Sequence, residues 1–339
     1  SKYNYKLIKI LLRVMLTPIN KFKDIKDRWQ KFRSNEENKR IRIRDAAYSL
    51  GCSEADLLST DVGDDVSYIY IDDIDMLFNE ILSTDKVMLL SRNDSVVHEK
   101  IVNTADIKLV NGCFVDIKNS SVVLEYSIDS FKYLFFQKKM HAKKYLSSFQ
   151  FFDGAGNAVL KIYSKNKSEV AFDHIALKYK SDYKYEVQGR EQKAHDEAFS
   201  CNAIPVNFHF TNTILDDSYT IKTINGSCLR KILNLLSEMN IPTQIHCLGN
   251  CVLQYHSDRI NNIVDYGPWL NVIDKDFNLH VLESDITSGK LLRYRGKDKD
   301  FFSIEFFDKN ESHSLGFTSF PGCENEFFDL VNKIEVSFE

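Results

Sequence analysis

The run GNCVLQYHSDRINNIVDYGPWLNVIDKDFNLHVLE, residues 249–283, sets the reading of the whole chain. Val252, Leu253 and Tyr255 make one β-prone stretch, Trp269–Ile273 a second and Phe277–Leu282 a third. Tyr266-Gly267-Pro268 and Asp274-Lys275-Asp276 supply turn chemistry between them. The spacing predicts three strands joined as a meander at the heart of a β-rich unit, with His256 and His280 on or beside its strands.

Around that core, a length of 339 residues suggests two units, at about 100 to 200 residues per domain. Hydrophobic residues make up 43%, and only 5 Pro and 13 Gly occur, which excludes a long disordered tract. The net charge of -4 provides no overall attraction to nucleic acid or an anionic membrane. Seven scattered cysteines, an odd number with no cleavable signal before them, do not read as a secreted disulfide framework. Both features point to a reducing cytoplasm.

Residues 3–16 set Lys6, Lys9 and Arg13 at helical spacing beside Leu7, Ile8, Leu11, Leu12 and Met15. This basic amphipathic helix is too short and too charged to span a bilayer. It packs on the body or a partner subunit, or else residues 1–34 make peripheral contact with a membrane surface. A second helix is expected over about 21–32. Residues 41–60 then show a helix, a turn at Gly51 and Ser53 as N-cap of a further helix. The outline is that of a helix-turn-helix, but Glu54 and Asp56 stand where phosphate-binding side chains would be needed, so no nucleic-acid partner is expected.

After a helix over 72–82, strands are expected at 86–91, 95–102, 107–110, 113–117, 122–126 and 131–138, with Asn111-Gly112 as a hairpin turn. Strands at 149–152 and 159–163 and a helix over 168–179 close the first half. The second half repeats it: 229–239 resembles 72–82, 244–248 resembles 86–90, and Ser303–Asp308 matches Ser148–Asp153. The fold expected is α+β, two tandem repeats, each a large antiparallel meander sheet with flanking helices, the sheets stacked around a central cleft. Residues 1–40 form a basic helical extension, 41–180 the first repeat, 181–226 a linker with a short helix, and 227–339 the second repeat.

Among nine histidines, His246 and His280 sit in strand runs and read as hydrogen-bonded residues of the core or sheet face. His98 and His256 occupy near-equivalent points of the two halves, which common ancestry explains as readily as a ligand role. His195, within REQKAHDEAF between the halves, is placed to reach into a cleft, and His209 is the second candidate there. His246-Cys247 with Cys251 and His256 has zinc-like spacing, but alternation along strands sends neighbouring side chains to opposite faces. Residues 290–297, KLLRYRGK, bring Arg293 and Arg295 together, forks suited to carboxylates. No nucleophile elbow and no phosphate-binding glycine loop is present.

The segments RDAAYSLGCSEADLL (44–58), SFQFFDGAGNAVLKIY (148–163) and GPWLNVIDKDFNLHV (267–281) resemble the bacterial haemin-degrading and haemin-transport factors. The resemblance runs from about residue 42 to 335. It implies a haem held between the two repeats, with its iron taken by a histidine of the inter-repeat helix, here His195. His209 or His256 is the alternative, and Arg293 and Arg295 would face the propionates. It further implies haem delivery, or reductive ring opening that releases iron, with a haem transporter or haem oxygenase as partner. Two departures stand out. The family's distal arginine falls at Glu125, which offers a carboxylate instead, and Ser319-Phe320-Pro321 lacks the basic and amide residues expected there. A diverged binding or interaction module without haem chemistry is therefore the other expectation.

Overall fold

The structure, a computed structural model, describes residues 22–39, 41–141, 143–182, 214–249, 252–296 and 301–335, with the backbone alone at 130, 214–219, 294–296 and 335. The expected amphipathic helix over 3–16 lies outside the described residues. Helix α1 spans 22–34. It is followed by α2 (Ile43–Ser49), α3 (Glu54–Ser59), β1 (Val66–Tyr68) and α4 (Ile74–Leu82). The strands β2 (Lys86–Arg92), β3 (Val96–Asn103), β4 (Ile107–Val110), β5 (Cys113–Asp116), β6 (Ser121–Tyr126), β7 (Tyr133–His141), β8 (Lys144–Phe152) and β9 (Ala158–Lys165) lead to α5 (Ser168–Tyr179). The second half runs β10 (Ile214–Asn225), α6 (Cys228–Glu238), β11 (Thr243–Leu248), β12 (Val252–Asp258), β13 (Ile263–Tyr266), β14 (Trp269–Ile273) and β15 (Phe277–Leu282). It ends with β16 (Ile286–Gly296), β17 (Phe301–Asp308), β18 (His313–Ser319) and α7 (Glu324–Glu335).

Local chemistry accounts for many of these boundaries. Ser53 accepts from the Asp56 backbone while the Asp56 carboxylate accepts from the Ser53 backbone, a complete capping box for α3. Asn111 and Gly112 both take positive φ, 49° and 75°, as a two-residue hairpin with right-handed strand twist requires. Gly156, at φ +76°, lets the β8–β9 loop approach α3, where a Cβ would lie 2.3 Å from Ser53 Oγ. All six residues of α3 are buried, which removes this helix from any role as a DNA-reading element.

Two nine-stranded antiparallel sheets result, so the architecture is α+β as expected. The first has the order β1-β7-β8-β9-β2-β3-β15-β14-β13 and the second β10-β16-β17-β18-β11-β12-β6-β5-β4. The three runs within 249–283 do not form one meander. Strand β12 stays with β11 in the second sheet, while β13–β15 cross to the first sheet and dock on β3. In the same way β4–β6 leave the first half and dock on β12. Each repeat thus lends three strands to the sheet of the other.

The exchange shapes the core. Helices α6 and α7 press Leu233, Leu236, Phe327 and Leu330 against Ile304, Phe306 and Phe317 of the second sheet and against Leu270 and Leu279 of the lent strands. Helices α4 and α5 do the same for Phe149, Phe151 and Leu160 with Phe114 and Leu124. Burial at roughly 25 cal/mol per Å² of apolar surface makes these two clusters the main stabilising feature. Strand alternation then turns the residues between them, Glu305 among them, to the opposite face of the second sheet.

Candidate functional site

On that opposite face one row of directly paired residues crosses five strands. Tyr255 faces His246, His246 faces Gly316, Gly316 faces Glu305, and Glu305 faces Lys290. Direct partners share a face, so all five side-chain positions look the same way. Strand β6 extends the row: Glu125 pairs with Leu253, and the Tyr255 hydroxyl donates to Glu125 Oε1 at 3.3 Å.

The centre of the row is a glycine, and its missing side chain matters. His246 and Glu305 stand on β11 and β17 with β18 between them, about 10 Å apart by strand spacing. Their side chains lean toward each other over Gly316 until His246 Nε2 is 2.9 Å from Glu305 Oε2. A Cβ at position 316 would lie 2.1 Å from both of these atoms. His313 joins from the start of β18. A bulge shifts the β17–β18 register so that Leu315 faces Phe306 but His313 faces Phe307. Without that extra residue His313 would point to the helix side; with it, His313 Nε2 reaches Glu305 Oε2 at 2.7 Å. The two imidazoles lie parallel, with centroids 5.5 Å apart.

Glu305 is fully buried, and its second oxygen, Oε1, accepts from Ser303 Oγ. Burial alone would push its carboxyl up, but the adjacent His246 and hydrogen bonds from both imidazoles hold it down at about 2. Because the carboxylate is ionised, each Nε2–H is the donor. His313 Nδ1 is buried with no hydrogen-bond partner among the described residues.

The corresponding face of the first sheet is covered by α1–α3, leaving a cavity of about 340 Å³ whose lining includes Trp29, Arg33, Lys39, Gln150, Lys139 and Lys161. Lys161 is lowered to about 7, by burial and then by the charge of Arg92. Arg92 pairs with buried Glu54 of α3 and so fastens this cover to the sheet.

Comparison with known proteins decides the relationship. The family model described as the haemin-degrading HemS/ChuX domain matches residues 51–179 and 215–314, about two thirds of the chain and parts of both repeats. The chain belongs to this HemS/ChuX family. The hemin transport protein HemS of Yersinia enterocolitica is 22% identical over 303 residues, covering 82% of this chain and 87% of the relative. Among solved structures, holo-PhuS, a heme-binding protein from Pseudomonas aeruginosa, aligns with TM-score 0.73 at 20% identity, over 87% of this chain and 92% of that one. The heme degrading enzyme ChuS of Escherichia coli O157:H7 aligns with TM-score 0.73 at 20% identity, over 87% and 93%. The structural likeness establishes the shared HemS/ChuX fold.

Within this HemS/ChuX fold the residues singled out from sequence fall in different places. His195 and His209 lie outside the described residues, as does the side chain of Arg295. Arg293 is exposed, and its guanidinium stands 5.9 Å from the Phe302 ring, which in turn packs on Phe328 of α7. Arg293 therefore belongs to the helix side of the second sheet; Lys290 is the cation in the row with Glu305, 4.8 Å from the Phe307 ring. Glu125 is the carboxylate that Tyr255 contacts, at the edge of the same face.

His256 is not presented to a cleft. It is 5% exposed, stacked on Phe277 at 3.8 Å, with Lys100 Nζ 3.2 Å from Nδ1 and the Arg259 carbonyl 3.4 Å from Nε2. Burial, then Lys100 and His98, push it well below 6.5, so it is a neutral core imidazole. His98 meets the same Phe277 ring in an edge contact at 5.0 Å and is fully buried, with neither ring nitrogen partnered among the described residues. The near-equivalence of these two histidines in sequence becomes proximity in the interior. His280 is satisfied by Asn271 Oδ1 at 2.6 Å. The grouping of His246, Glu305 and His313 was not read from sequence. The available signal was a charged residue at an alternating position in the phenylalanine-rich run Phe301–Phe307, since a carboxylate on a sheet face needs partners.

Among the described residues no helix is long and apolar enough to cross a membrane.

Proposed function

We propose that this protein binds haem as cargo or substrate in the cytoplasm and serves haem iron use, either by handing haem on or by opening its ring. The observation carrying this reading is the match of the HemS/ChuX family across both repeats. His195 is the proposed iron ligand, with His209 as the alternative; the buried, doubly contacted ring of His256 disfavours that residue. Arg295 and Lys290 are the proposed propionate partners. Arg293 is less suited, because its side chain lies on the helix side of the sheet.

Haemin titration followed by absorbance, on the wild type and on His195→Ala, tests the reading. A saturable Soret band near one haem per chain that weakens or shifts in the variant supports both haem binding and the ligand. Binding unchanged by the substitution moves the ligand to His209. Absence of any saturable band overturns haem binding. Supplying a reductant to the loaded protein separates the two fates: loss of the haem spectrum marks ring opening, and an unchanged spectrum marks carriage.

A second reading, a binding module without haem chemistry, is favoured by one observation. Glu125 occupies the place where the resemblance implies an arginine, and Tyr255 engages it. That reading requires the first titration to show no saturable haem.

A further inference from the structure

The two repeats place the same backbone features in both sheets, and comparing them isolates what is special about the second. In the first sheet Gln150 faces Lys161 and Lys161 faces Leu90; in the second Glu305 faces Gly316 and Gly316 faces His246. The bulge is repeated as well, setting Ala158 opposite Phe152 just as His313 stands opposite Phe307. Ser148 supports Gln150 as Ser303 supports Glu305. Gln, Leu, Ala and Lys therefore satisfy this backbone in one repeat. The second carries Glu, His, His and Gly at the same four positions, so the fold does not demand that set.

We propose that His246, Glu305 and His313 form a binding site for one divalent transition-metal ion, through two imidazole Nε2 atoms and one carboxylate oxygen. The three donor atoms lie within 4.8 Å of one another. Two imidazoles and a carboxylate are the donors that zinc, cobalt and ferrous iron take in three-ligand sites with open positions, and they are poorly suited to calcium or magnesium. Bond lengths of roughly 2.0 to 2.2 Å set donors on one tetrahedral ion roughly 3.3 to 3.6 Å apart. The 2.9 Å and 2.7 Å separations to Oε2 open by roughly 0.4 to 0.9 Å to reach that spacing, and the two imidazole donor atoms already lie within 4.8 Å of each other. Gly316 leaves the required space beneath the donors. To ligate through Nε2 each neutral imidazole carries its proton on Nδ1 instead, so the proton now donated to Oε2 moves to the other ring nitrogen and the Nε2 lone pair takes the ion. Ser303 Oγ, on Oε1, then holds the ligating carboxylate from behind.

The site shares its sheet face with Lys290 and Glu125, and its test uses no haem. The full chain, stripped with a chelator, is titrated with Co²⁺ and followed by visible d–d absorption, then back-titrated with Zn²⁺. One Co²⁺ per chain, displaced by Zn²⁺, is expected. His313→Ala, His246→Leu and Glu305→Gln each install the residue of the first repeat at a position whose backbone already accepts it. Each is expected to weaken Co²⁺ binding at least about tenfold, with the circular dichroism of His313→Ala unchanged. Should a core variant fail to fold, His313→Ala, whose side chain is 9% exposed, carries the test alone. Absence of d–d bands in the wild type, or equal bands in His313→Ala, overturns the proposal. Because haemin binding is measured separately on His195→Ala, failure of either idea leaves the other intact.

Discussion

The Tyr255 hydroxyl donates to the Glu125 carboxylate across the β12–β6 pair, the line along which strands lent by the first repeat join the sheet of the second. Burial and then the negative charge of Glu125 raise the Tyr255 hydroxyl well above 10, so it stays a donor throughout the physiological range. Tyr255→Phe is expected to cost about 1 kcal/mol, one hydrogen bond with a partner that can turn to water. Thermal unfolding should show a fall of about 2 °C, and no change would mean the contact contributes nothing.

Glu125 also bears on ligand charge. Exchanging it for arginine replaces a negative charge by a positive one on the face proposed to receive an anionic tetrapyrrole. Glu125→Arg is expected to tighten haemin binding about tenfold, or roughly 1.4 kcal/mol. Equal affinities by absorbance titration would show that this edge of the sheet does not meet the ligand.

Stability should respond to acid through the interior imidazoles. His98 is lowered to about 3, by burial first and then by Lys100, with His246 adding to the effect, and His256 faces the same Phe277 ring. The unfolded chain takes up protons near 6.5 while the folded chain resists until about 3, so the unfolded state binds more protons between those values. The contribution of His98 is therefore complete above about 6.5 and declines as pH falls, by up to about 1.4 kcal/mol per pH unit. His98→Leu, which also removes two unpartnered nitrogens, should flatten the urea midpoint between pH 6 and 4. An unchanged slope would assign the acid sensitivity to other groups.

Gly316 tolerates little. A Cβ there meets Glu305 and His246 head-on, so Gly316→Ala should destabilise by about 1 to 3 kcal/mol, as overpacking does. Lys161 stands at the matching place in the first sheet, and Lys161→Ala brings no such clash. Similar urea midpoints for the two variants would contradict this account.

The pair of Arg92 and Glu54 predicts a larger loss. Both side chains are largely buried, at 12% and 4% exposure, and Lys161 also lies 3.9 Å from the same carboxylate. Glu54→Ala leaves the buried Arg92 guanidinium without its ion-pair partner and is expected to cost about 3 to 5 kcal/mol. A denaturant midpoint close to that of the wild type would disprove it.

What the sequence reveals and what it hides divide along the range of the interactions. The Ser53 cap, the Asn111-Gly112 turn and helix α5 depend on residues a few positions apart, and each was legible. Strand β13 was not: Val264, Asp265 and Tyr266 are all exposed at the sheet edge, so no apolar alternation marks it. The strand exchange was hidden because lent and retained strands have the same alternation, and nothing local says which β3 or β12 will pair with. His246 was read as a satisfied sheet-face histidine, and its hydrogen bond to Glu305 agrees. Its company with His313 follows only from three strands in register, one bulge and one glycine, none visible in the spacing of 59 residues between His246 and Glu305.

The lending of strands β4–β6 and β13–β15 also speaks to how such a molecule could have arisen. A forerunner with one repeat would have exposed the edge of its third strand and had nowhere of its own to put the next three. Two identical copies trading those strands about a twofold axis would have met both needs. Gene fusion would then turn an obligate pair into one polypeptide. Only after that step could Glu305, Gly316, His246 and His313 depart from Gln150, Lys161, Leu90 and Ala158, because twin copies from one gene must change together.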